Sequence, residues 1–123
     1  MNQIFNADCL RENLEFNEPE ILLSLYSDYI DQLYSLSEYI KNINQTIDEE
    51  VKSGLKCELH KIKSSSKAIG ALTLGEKLDY VEKKIDNLEA NEISLELNSL
   101  TLLINETRKK ILDESADLVK RYM

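Results

Sequence analysis

Apolar side chains recur at intervals of three and four along most of this 123-residue chain, and only three glycines and one proline interrupt them. That spacing repeats once per turn of an α-helix and gives each segment one stripe to bury against its neighbours. The two-residue alternation of a half-buried strand has little support. At this length a single domain over residues 1–123 is expected, large enough to enclose a real core.

The segments follow from their stripes and punctuation. A short first helix is expected over about Ala7 to Leu14. Asn17 reads as the cap of a long second helix, with Pro19 in its first turn and Glu20 three residues after the cap. Its stripe is Leu22, Leu25, Tyr29, Leu33, Leu36, Ile40 and Ile43, and Tyr26, Tyr34 and Tyr39 are expected in the core or at its boundary. Thr46 to Glu49 has the form of a capping box, opening a third helix that ends before Gly70. Thr73 to Glu76 repeats the form ahead of a fourth helix with Leu74, Leu78, Val81, Ile85 and Leu88 inward. A last helix starts near Asn91 and carries Ile93, Leu97, Leu100, Ile104 and Ile111, with a polar end expected to fray. Short links between long amphipathic helices make neighbours antiparallel. The expected fold is all-α: an antiparallel up-and-down four-helix bundle with an additional short N-terminal helix.

Charge narrows the function classes. The net charge of −8 disfavours nucleic acid and anionic membrane as bulk partners. No apolar run approaches a membrane span and the first residues do not form a signal peptide, so a cytoplasmic protein is expected. A monomer is expected, although the sequence does not itself fix the oligomeric state. Cys9 and Cys57 are far apart and there is one histidine, so reduced thiols are expected and no metal site.

Against that acidic background, residues 51–67 hold five lysines and one glutamate, together with the lone histidine, His60. On a helical wheel Leu55, Ile62 and Ile69 lie opposite His60, which therefore faces away from the core. Lys56, Lys63 and Lys67 fall within about 60° on one side of it, and Ser53, Cys57, Ser64 and Ala68 within about 80° on the other. Ala71 joins the small residues if the helix reaches it. Neutral imidazole, with an ordinary pKa near 6.5, keeps one nitrogen lone pair for nucleophilic attack. A phosphoryl group placed there would add roughly −1.5 to −2 charges, which ammonium groups can meet. The alternative is a solvated lysine face in which the histidine is incidental.

The stretch H-K-I-K-S-S-S-K-A-I-G-A resembles the signature of the histidine-containing phosphotransfer (HPt) family of two-component phosphorelays. His60, Lys63, Ser65, Ser66, Gly70 and Ala71 match it in spacing, and the helix lengths match over essentially the whole chain. The resemblance implies a four-helix bundle that takes a phosphoryl group on His60 from a receiver-domain aspartate and passes it to another receiver. The domain implied is a carrier and not an enzyme. It has no cofactor of its own, magnesium being expected on the receiver, and its partners are response-regulator receivers, a hybrid histidine kinase, or both.

Lys63 and Lys67 are then the phosphoryl-stabilising residues, and Lys56, Cys57, Ser64, Ala68, Gly70 and Ala71 the partner-binding surface. Glu82 falls where the family often has Glu or Gln, and counting turns back from Gly70 and on from Thr73 sets it opposite His60, able to bond one ring nitrogen. The family's usual glycine four residues after the histidine is Ser64 here. That departure keeps open a second reading, a pseudo-HPt or helical interaction module that binds a partner without phosphotransfer.

Overall fold

The computed structural model describes residues 4–9, 18–43 and 47–122, and among these the chain is all-α. Helix α1 spans Pro19–Lys41, α2 Glu49–Ile69, α3 Leu72–Lys84 and α4 Ala90–Tyr122, and a 3-10 turn, Ile85–Asn87, continues α3. Each helix packs on the next and α4 returns to α1, which closes a four-membered ring. Contacts between α2 and α3 run in opposite directions, Lys56 meeting Asp86 while Lys63 meets Asp79. Those between α1 and α2 do likewise, Tyr29 meeting Ser66 while Tyr39 lies at Gly54. The bundle is therefore antiparallel and up-and-down. No helix among the described residues is long and apolar enough to cross a membrane.

The expected stripes form the core. Leu22, Leu33 and Leu36 of α1, Leu55 and Leu59 of α2, Leu74 and Leu78 of α3 and Leu100 and Ile104 of α4 are all essentially sealed from solvent. Each such side chain contributes about 1.5–3 kcal/mol relative to leaving it exposed. Tyr26 and Tyr29 are core residues, whereas Tyr34 is 61% exposed. Leu25, assigned to the stripe, is only half-buried, because Tyr26 takes the inward position beside it and meets Phe5 edge-on. The end of α4 is helical to Tyr122 and buries Leu118.

Helix starts differ from the capping boxes. Asp48 caps α2, its carboxylate accepting from Val51 N at 2.9 Å, while Thr46 lies outside the described residues. Ala71, and not Thr73, is the residue ahead of α3. Glu18 precedes Pro19 at the start of α1, and Asn17 is outside the described residues. Both threonine boxes fit the sequence form, but the residue ahead of each helix is a different one, Asp48 for α2 and Ala71 for α3. Most of the expected N-terminal helix, residues 10–14, also lies outside the described residues. Asp8 and Cys9 are helical behind Asn6, whose side-chain oxygen accepts from Asp8 N at 3.0 Å.

One polar bond crosses the core between α1 and α2. The hydroxyls of Tyr29 and Ser66, both buried, lie 2.5 Å apart. Burial pushes the Tyr29 phenol well above its ordinary value despite that bond, so it stays protonated. Tyr29→Phe is expected to destabilise by about 1–3 kcal/mol, because Ser66 keeps its desolvation cost without a partner. The double variant Tyr29→Phe with Ser66→Ala recovers most of the loss, and denaturant midpoints of the four proteins check the cycle.

Candidate functional site

Helix α2 ends at Gly70, which adopts a left-handed conformation with φ 102°. Its neighbour Ala71 donates to Ser66 O at 2.8 Å, and α3 begins one residue later. So tight a reversal fixes the register of α2 against α3, and the site is a product of that register.

A ladder of ion pairs runs down the seam between the two helices. Lys56 Nζ donates to Asp86 Oδ2 at 2.6 Å. One turn on, His60 Nδ1 lies 3.0 Å from Glu82 Oε2. Lys63 Nζ donates to the other oxygen of Glu82 at 2.9 Å and to Asp79 Oδ1 at 3.1 Å. Lys83 reaches Asp79 Oδ2 at 3.0 Å. Glu82 thus holds the imidazole with one oxygen and an ammonium with the other.

The electrostatics follow these bonds. Burial pulls the Glu82 carboxyl upward, but the bonds from Lys63 and His60 more than offset it and leave it below the usual carboxylate range. Lys83, then Lys63, hold Asp79 below that range as well, while Glu82, then Asp79, hold Lys63 above the ordinary lysine value. Lys56 is raised by its bond to Asp86.

A carboxyl with a depressed folded pKa stabilises the fold above its unfolded value near 4, and loses that contribution as pH falls through the depressed value. The seam therefore loosens below pH about 4. Glu82→Gln combined with Asp79→Asn should flatten the acid limb of a stability–pH profile. An unaltered limb would show that the ladder adds nothing to stability.

A carboxylate oxygen can only accept, so the proton of neutral His60 sits on Nδ1 and the lone pair on Nε2. The histidine side chain is 67% exposed, against 19% for Glu82 and 19% for Lys63. The nucleophilic nitrogen is thereby held in one tautomer on an open face by a partner that is itself mostly covered.

The expected small floor is present in part. Ser53, Cys57, Ser64 and Ala68 are exposed on the His60 side of α2. The three consecutive serines face three ways: Ser64 outward, Ser65 donating to Gln32 Oε1 at 3.0 Å, and Ser66 into the core. Gly70 and Ala71, expected as partner-binding surface, are both buried. Asn6 covers Gly70, its N–H donating to Gly70 O at 2.8 Å. These two residues shape the end of the site from beneath and offer it no surface. Cys57 stands one turn from His60 as a free thiol.

Asp79 and Asp86 belong to the site and were absent from the expected set. Their signal was legible in one respect, since Asp79, Glu82 and Asp86 recur at three and four residues and so share a helix face. Comparison of the chain with family models, curated proteins and solved structures gives no match.

Proposed function

We propose that this protein is a phosphorelay intermediate of the HPt kind, accepting a phosphoryl group on His60 from a receiver-domain aspartate and passing it to a second receiver. The observation that carries the reading is the exposed imidazole whose Nδ1 is held by Glu82, leaving Nε2 free. In the forward step the Nε2 lone pair forms a P–N bond as the P–O bond to the donor carboxylate breaks, and the carboxylate leaves with the bonding pair. Return to a second aspartate reverses the roles. The chain's own contribution is positioning and charge, the catalytic groups and magnesium being supplied by the receiver.

Glu82 serves as the orienting residue and Lys67, two turns from the acceptor on the same face of α2, as a cation with no carboxylate partner among the described residues. Lys63, also expected to meet the phosphoryl group, has one N–H left for it after its bonds to Glu82 and Asp79, which already offset its charge. The exposed Ser64 beside His60 favours a second reading, a module that binds receivers without accepting phosphate. Incubation with phosphorylated receiver domains separates the two: acid-labile, base-stable phosphate on the wild-type protein supports the relay, and its absence with every receiver overturns it.

A further inference from the structure

The ladder between α2 and α3 lacks one rung. Of the five lysines on α2, four have a carboxylate within the chain: Lys52 with Glu49, Lys56 with Asp86, Lys61 with Glu58, and Lys63 with Asp79 and Glu82. Lys67 is exposed and pairs with no carboxylate among the described residues. Opposite it, where Asp79, Glu82 and Asp86 serve the turns below, α3 presents Gly75.

This glycine is the fourth residue of α3, in its first turn, and is buried there. A Cβ there would lie 2.8 Å from Lys67 Cγ, well inside contact distance. The missing side chain makes room for the lysine stem to lie across α3. Lys67 follows His60 by seven residues, about 10.5 Å along the same face of the helix. A protein covering the imidazole would extend over this ammonium too. Its place in the last turn of α2 suits the helix dipole, but that alone would favour a lysine without requiring a glycine opposite.

Resting on the relay reading, we propose that Lys67, seated across Gly75, is the electrostatic anchor for receiver docking and pairs with a carboxylate on the receiver surface beside its phosphorylated aspartate. The partner supplies the rung that α3 omits. Lys56 and Lys63, already neutralised within the chain, contribute little to that attraction.

The test measures binding of receiver domains encoded in the same genome, by calorimetry over a series of salt concentrations. The proteins are wild type, Lys67→Met, Gly75→Ala and, as a control on another face, Lys61→Met. Lys67→Met keeps the stem and removes the charge. It is expected to weaken binding roughly three- to tenfold at low salt and to flatten the salt dependence, while Lys61→Met binds as wild type. Gly75→Ala is expected to weaken binding by displacing the stem. A purely structural role for Lys67 would lower the melting temperature and leave the salt slope unchanged. Equal affinity and equal slope for wild type and Lys67→Met overturn the anchor, as does failure of every receiver to bind the wild type. Phosphate labelling of His60 by the same receivers is scored separately, so the relay reading can stand when the anchor falls, and the anchor when labelling fails.

Discussion

Replacing His60 with glutamine is expected to remove all acid-labile phosphate acquired from phosphorylated receivers while leaving the fold intact. The glutamine amide can still donate to Glu82, but its nitrogen lone pair is delocalised into the carbonyl and does not attack phosphorus. The effect on stability should stay within about 0.5 kcal/mol, because the histidine side chain is 67% exposed and packs against little. Circular dichroism and the denaturant midpoint check the second statement, and labelling checks the first. Phosphate retained by His60→Gln would identify another acceptor and remove the basis of the proposed function.

The largest expected loss of stability belongs to Gly70→Ala. With φ at 102°, Gly70 occupies the left-handed region, where an L side chain costs about 1–2 kcal/mol. A Cβ there would also lie 2.1 Å from Asn6 O and 3.0 Å from its carbonyl carbon, a clash with backbone that no rotamer relieves. The N-terminal segment has to lift, which breaks the bond from Asn6 N to Gly70 O. Together these amount to about 2–4 kcal/mol, read as a fall in denaturant midpoint at constant slope. Gly70→Asn separates the two causes, since asparagine tolerates the left-handed region but still carries a Cβ. Near wild-type stability for the asparagine variant would assign the loss to backbone strain and leave the Asn6 contact without weight.

The same glycine illustrates what a linear reading can recover. That α2 stops at Gly70 follows from sequence, since a helix that has exhausted its apolar stripe and meets glycine has an easy exit. That the N-terminal segment then covers Gly70 does not, because residues more than sixty positions apart carry no local signal of contact. The burial of Gly70 is not legible in the sequence for that reason. The stripe of Leu55, Ile62 and Ile69 is legible because burial follows a fixed angular period, and the outward direction of His60 comes with it.

Ion pairs are a different matter. The wheel gave the basic side of α2 correctly, yet it showed free lysines where Lys56 and Lys63 are tied to α3. Partners of Lys63 at positions 79 and 82 emerge only once the reversal after Ile69 sets one helix against the other. Glu82 was found because counting turns from that reversal is itself a register argument. Asp79 and Asp86 would have followed from the same count extended by one turn each way. The caps were misplaced for a related reason: Asp48 stands within the threonine box, and only the path of the chain chooses between the two oxygens.

Because the chain carries one imidazole, and that ring projects into solvent with a carboxylate on one nitrogen, its carbon-bound protons form a spectroscopic reporter that no second histidine confuses. Proton uptake, tautomer, occupancy by phosphorus and contact with another macromolecule would each register at the same two resonances. A single titration series can therefore follow chemistry and recognition together, without any label having to be introduced.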